Sequence, residues 1–124
     1  MRDMKNNVDI AKSINPATYK TDQTGASVDL SGYESAMVVV ISGALTDGAH
    51  TPKLQESSDD STYTDVDSTD MEGSFANVSA NSVQRVGYKG SKRFVRAYVT
   101  SSGTTGCIYA ASFLRGEPAI APLA

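Results

Sequence analysis

Val83-Gln-Arg-Val-Gly-Tyr-Lys-Gly-Ser-Lys-Arg-Phe-Val-Arg-Ala-Tyr-Val-Thr100, continued by Ser101-Ser-Gly-Thr-Thr-Gly106 and Cys107-Ile-Tyr-Ala-Ala-Ser-Phe-Leu114, decides the fold. Three runs of β-branched and aromatic residues are separated by Gly/Ser/Lys and Gly/Ser/Thr clusters, the pattern strand, turn, strand, turn, strand. In the middle run Phe94, Arg96 and Tyr98 take one face of a strand, and Val95, Ala97 and Val99 take the other. In the last run Ile108, Ala110 and Ser112 alternate with Tyr109, Ala111 and Phe113. The stretch holds no nucleophile beside a base and no set of metal ligands, so it predicts a packed antiparallel sheet and carries little chemistry.

Upstream the same reading continues. Ala36-Met-Val-Val-Val-Ile-Ser42 is apolar on both faces, Val38 and Val40 against Met37, Val39 and Ile41. That predicts a central strand buried on both sides. Leu54-Gln-Glu-Ser-Ser-Asp-Asp-Ser-Thr-Tyr-Thr-Asp-Val66 reads as a hairpin around an Asp/Ser turn. Thr18–Thr24 is the expected first strand, a short run follows at Ser27–Leu30, and residues 67–75 suit a loop holding at most one helical turn. Turn signals about every 8–12 residues predict about eight strands with no long helix. The expected fold is all-β: a single-domain antiparallel β-sandwich, jelly-roll-like, spanning residues 18–114. Residues 1–17 are mostly polar, with Val8, Ile10 and Ile14 among their few sizeable apolar side chains, and are expected to form an extended N-terminal arm. Residues 115–124 carry two prolines and are expected to form an extended C-terminal tail without strand pairing.

Composition bounds the function. The chain has 124 residues, enough to bury one core without disulfides or metals. Its net charge of −3 and lack of like-charge blocks argue against a surface that neutralises nucleic-acid phosphates. Cys107 is the single cysteine and is expected to be a buried, inert thiol. The longest apolar run is far below the roughly 20 residues that span a bilayer, and the first residues lack the apolar core of a signal peptide. Folding in a cytoplasm is therefore expected, which makes the Asn77-Val-Ser sequon incidental.

Candidate chemistry is sparse. His50, the only histidine, falls in the loop Gly48-Ala-His-Thr-Pro52 and is expected to be exposed and idle. Asp59, Asp60, Asp65, Asp67, Asp70 and Glu72 offer oxygens, but not with the spacing of a calcium loop, so solvated loop carboxylates are expected. A glycosidase pair among them lacks a cleft-forming set of aromatics. Gly87-Tyr-Lys-Gly-Ser-Lys92 is no phosphate loop, because a strand follows it instead of a helix. Lys89, Lys92, Arg93 and Arg96 form the one basic cluster. Two readings of it stand: charges that guard a sheet edge, or a patch that meets an acidic protein partner. The six tyrosines fit half-buried packing better than a sugar platform, given that tryptophan is absent. No catalytic residue, cofactor or metal site is expected.

Four pieces carry a resemblance: residues 28–40, the stretch Leu45–Val66, the stretch Val83–Arg96, and Gly116-Glu-Pro-Ala-Ile-Ala-Pro122. In this order and spacing the chain resembles small tailed-bacteriophage and prophage virion proteins encoded among head genes. It is similar to the head spike base of gene transfer agents and to β-sandwich capsid decoration (cement) proteins. The resemblance covers roughly residues 8–122; Tyr63 stands where many such hairpins carry Trp. It implies a non-enzymatic structural protein on the outer surface of the virion head, made in the host bacterial cytoplasm, with the major capsid protein as partner. It also implies homo-oligomers, trimeric or pentameric, with a spike or head-fibre base at capsid vertices as the variant role. The expected contact residues are Val8, Ile10, Lys89, Lys92, Arg93, Glu117, Pro118 and Ile120. From a different class, a carbohydrate-binding β-sandwich module is the alternative, and neither nucleic acid nor membrane is an expected partner.

Overall fold

The computed structural model describes residues 4–118. Ten strands follow one another in these residues: β1 (Val8–Tyr19), β2 (Gln23–Thr24), β3 (Val28–Asp29), β4 (Tyr33–Leu45) and β5 (His50–Ser57), then β6 (Thr64–Asp65), β7 (Met71–Glu72), β8 (Val83–Tyr88), β9 (Phe94–Ser101) and β10 (Cys107–Pro118). One 3₁₀ turn, Ser68–Asp70, precedes β7. All pairings are antiparallel. One sheet has the order β1-β10-β4-β8-β7; the other runs β2-β9-β5-β6, with β3 also on β9.

With β2 and β3 taken as one interrupted position beside β9, and the two-residue β7 set aside, eight positions remain. They run 1-8-3-6 in the first sheet and 2-7-4-5 in the second, the double Greek-key order of a jelly roll. The core lies between the sheets. Val38 and Val40 of β4, Val86 of β8, and Tyr109, Ala111 and Phe113 of β10 face Leu54 of β5 and Val95, Ala97 and Val99 of β9, all of them buried. The alternation in β9 and β10 thus places the faces as their sequences predict.

The hairpin between β5 and β6 is built by short polar side chains. The Asp59 carboxylate accepts the backbone N–H of Ser61 at 2.9 Å and of Thr62 at 3.0 Å. The Ser57 hydroxyl accepts the N–H of Asp59 and Asp60. Asp60 sits at φ 59°, a left-handed conformation that short acidic side chains tolerate. These hydrogen bonds hold the Asp59 carboxyl below the usual range, because they favour its charged form.

Three expectations need correction. Residues 8–17 are no free arm: they form most of β1, whose backbone pairs with β10 from Val8↔Gly116 to Tyr19↔Cys107. Bulges between Lys12 and Ile14 and between Ile14 and Ala17 break the alternation, so Ser13 and Ile14 are buried together and the strand period is hidden. Pro16 lies in that irregular stretch, where no ladder N–H is required of it. Residues 115–118 are no tail either: they extend β10, and Pro118 takes the strand's last position opposite Tyr33. Finally, β4 is covered on one face only. Val38 and Val40 are buried, but Met37 and Val39 are half-exposed and Ile41 is 53% exposed.

Ser13 ties the two sheets at a corner. Its hydroxyl donates to the Ala26 carbonyl at 2.9 Å and accepts the Ala97 N–H at 3.1 Å. Gly25 lies so close that a Cβ there would sit 2.2 Å from the Ser13 hydroxyl oxygen and 2.6 Å from the Ala97 carbonyl oxygen. Phe113, fully buried in β10, packs where both sheets meet. Phe113→Ala is expected to lower unfolding free energy by about 3–5 kcal/mol through lost burial and the cavity left behind. The midpoint of urea unfolding measures it.

Candidate functional site

The two ends of the sandwich differ in character. At one end the loops are saturated by internal hydrogen bonds. Asp47, between β4 and β5, accepts the N–H groups of Thr104, Thr105 and Gly106 in the loop before β10. Those hydrogen bonds hold the Asp47 carboxyl below its ordinary range. His50 is not an exposed loop residue: it opens β5 and is 1% exposed. Its Nδ1 pairs with the Ser101 hydroxyl at 2.9 Å, its Nε2 with the Asp47 carbonyl at 3.1 Å, and Ser101 Oγ in turn pairs with Tyr109 Oη at 3.1 Å. The apolar register of β5, with Pro52 and Leu54 inward, carries His50 inward too. Its loop-like neighbours concealed that.

At the other end the start of β1, the end of β10 and a basic loop converge. The register Val8↔Gly116↔Ser35 and Pro118↔Tyr33 brings the start of β1, the end of β10 and the start of β4 side by side. The β8–β9 loop, with Lys89, Lys92 and Arg93, lies next to them, since Ala36 pairs with Tyr88. Val8, Lys89, Lys92, Arg93 and the backbone of Glu117 and Pro118 therefore share one pole, and Ile10 lies one row further along β1. Ile120 lies outside the described residues.

The charges at this pole are mostly engaged internally. Arg93 forms a bidentate pair with Asp29, Nε to Oδ1 at 2.9 Å and Nη2 to Oδ2 at 2.8 Å, and its guanidinium lies over the Phe94 ring. Lys89 pairs with Glu72 at 3.2 Å. Arg115, stacked over Tyr33, bonds the Asp9 carboxylate and donates to the Asp29 carbonyl. Among the described residues, Lys92 and Arg96 are the members of the cluster without an ion pair, and of the two only Lys92 lies at this pole. Arg96 is turned elsewhere, bonded to Gln55 and stacked on Tyr63.

Between the β3–β4 turn and the β8–β9 loop lies a cleft of about 410 Å³, lined by Ser31, Tyr33, Glu34, Ser91 and Lys92 among others. Its floor is anchored by Tyr88, whose hydroxyl donates to Glu56 at 2.7 Å and accepts the Lys92 N–H at 3.1 Å. Burial pushes the Tyr88 phenol well above its usual range. A Cβ at Gly90 would lie 2.4 Å from the Tyr88 hydroxyl oxygen, so any side chain there would have to displace the Tyr88 ring.

Elsewhere, three carboxylates of the acidic stretch, those of Asp59, Asp60 and Asp65, are engaged within the hairpin. Asp60 accepts from Tyr63, whose phenol burial pushes up to about 12, and Asp65 meets Lys53 and Gln55. Among the described residues no group of three or more His, Cys, Asp or Glu side chains is placed to hold a metal ion, and no helix is long and apolar enough to cross a membrane. Cys107 is fully buried, and burial pushes its thiol up. It is expected to resist thiol reagents in the native state and react only on unfolding, which a thiol titration with and without denaturant measures.

The sequence reading missed the outer face of the first sheet. Met37, Val39, Ile41, Val83, Ile108 and Leu114 form an apolar surface there that the described residues leave uncovered. The signal was present, since both parities of β4 are apolar. Comparison with known proteins returns no match: no family model fits the chain, and neither a curated protein nor a solved structure matches it at a significant level.

The Asp29–Arg93 pair sets a pH dependence. The Arg93 guanidinium holds the Asp29 carboxyl at about 2, below the ordinary 3.8. A depressed folded-state pKa gives stability that is fully present above the unfolded value and lost as pH falls from about 4 through about 2. The carboxylate is 41% exposed, so solvent screening limits the effect to about 1 kcal/mol at most. Asp29→Asn should remove that acid-side loss, seen as a smaller drop in melting temperature between pH 5 and pH 2 than in the unaltered protein.

Proposed function

We propose that this protein is a non-enzymatic structural component of a tailed-bacteriophage virion, bound to the outer surface of the head, where it decorates and stabilises the capsid. The resemblance of four sequence segments to head-decoration proteins motivates the reading. The observation that carries it is the convergence at one pole of Val8, Lys89, Lys92, Arg93 and the Glu117–Pro118 backbone, residues far apart in sequence. A module that must lie on a lattice needs its contacts at one end, and chain extensions leaving from that end can reach neighbouring subunits. The major capsid protein is the partner, Lys92 supplies an uncommitted cation toward an acidic patch, and the protein acts as a homo-oligomer made in the host cytoplasm.

The test uses purified undecorated heads and co-sedimentation. Because residues 8–17 and 115–118 are strand, informative truncations remove residues 1–7 or 119–124 only. Each truncation, and Lys92→Glu, is expected to weaken head binding about tenfold or more while the far-UV spectrum stays that of the intact protein. Unchanged binding in all three would refute the reading. Copy number per particle separates lattice decoration from a spike or fibre base at the vertices.

The cleft between Tyr33 and Lys92 favours a second reading, a carbohydrate-binding module, since it joins an aromatic face to hydroxyl, carboxylate and ammonium groups. Glycan binding that is lost in Tyr33→Ala, without any head binding, would select it.

A further inference from the structure

The five most exposed large hydrophobic side chains among the described residues are Met4 at 57%, Ile10 at 67%, Ile41 at 53%, Val83 at 66% and Ile108 at 41%. All of them belong to one surface. Cross-strand partners share a face of the sheet, so the register assigns its outer rows. Ile10, Leu114 and Met37 form one row, Lys12, Ser112, Val39 and Arg85 the next, and Ala110, Ile41 and Val83 the third. Ile108 lies beside Gly43 in the row beyond, with its methyl carbon 3.4 Å from where a Gly43 Cβ would stand. Met4 closes the other end, where it lines a groove with Val8, Met37 and Leu114. Scattered exposed hydrophobics are ordinary, but a contiguous face of them marks an interaction surface.

We infer that the outer face of the β1-β10-β4-β8 sheet docks on the same face of a second copy of this chain, forming a two-fold dimer. Two observations select this occupant. First, the described residues present no second surface with such exposed side chains, so the apolar counterpart a second copy offers is this same face, and like meeting like closes with two-fold symmetry. A ring of three or five copies needs two different complementary patches. Second, the size is sufficient. Four strands spaced about 4.8 Å apart and about nine residues long at about 3.4 Å each give a footprint near 600 Å² per copy. The two copies together reach about 1,200 Å², the lower bound for a stable, specific interface. Sheets stacked face to face at about 10 Å are also the packing this protein already uses inside itself. Lys12 on β1 and Arg85 on β8, both exposed, flank the apolar stripe, where long stems can lie along it and keep their charges at the rim.

The inference is independent of the head-binding reading: a dimer that ignores phage heads would leave it intact. Sedimentation velocity on the full chain between about 1 and 100 µM tests it, a range that reaches the weak end of affinity expected of an interface at this lower size bound. A concentration-dependent dimer is expected. Ile41→Glu and Val83→Glu, at exposed outer positions, should each raise the dissociation constant roughly 100-fold or more by burying an unpaired charge, with the far-UV spectrum unchanged. Thr100→Glu, on the outer face of the other sheet, should leave it unaltered. A monomer throughout the range, a trimer or pentamer, or a dimer indifferent to both glutamates would overturn the inference.

Discussion

The position of β10 is the constraint on which the rest of the structure depends. It is the last strand in the described chain, yet it lies inside its sheet, hydrogen-bonded to β1 on one side and β4 on the other. Its inward side chains Tyr109, Ala111 and Phe113 are all buried. Until this strand is inserted, β1 has no partner in the sheet and the core lacks its two largest fully buried side chains. The contacts are long-range in sequence, so loop-closure entropy precedes the reward of packing, the usual situation in sandwich folds. The same placement brings the start of β1 and the end of β10 together, and thereby creates the pole where the candidate contacts meet.

Around that strand the polar groups divide by location. At the saturated end, Asp47, His50, Ser101 and Tyr109 satisfy one another and the loop amides. A buried histidine bonded through both ring nitrogens is a structural pin, because leaving either nitrogen unpaired in the interior is costly. At the opposite end Arg115, Asp9, Asp29 and Arg93 clasp β1, β3, β10 and the β8–β9 loop through charge-assisted bonds that remain in reach of water. One end of the sandwich is therefore closed, and the other keeps a cleft and Lys92 available.

Much of the fold was legible in the residues. The alternation of β9 and β10, the β5–β6 hairpin and the one-turn 3₁₀ element all follow from side-chain period and turn chemistry. Residues 8–17 were not legible as a strand, since bulges at Ser13 and around Pro16 scramble the period, and the pairing energy resides in the backbone of β10. Pro118 disguised the end of β10 in a similar way, because a proline donates no ladder hydrogen bond and so reads locally as the end of pairing. Of the candidate contacts, Lys89 and Arg93 stood out as a basic cluster, but their partners Glu72 and Asp29 are distant in sequence and invisible to local reading.

By itself the sequence determined an antiparallel β architecture, its turns, and which side chains of β9 and β10 share a face, because these depend on neighbours two residues apart. Only the tertiary structure decided what covers each face. Val38 and Val39 are chemically identical, yet Val38 is fully buried against the second sheet and Val39 looks outward. The difference arises from the order of strands and from the number of layers the chain can build, and neither property resides in any local stretch of residues.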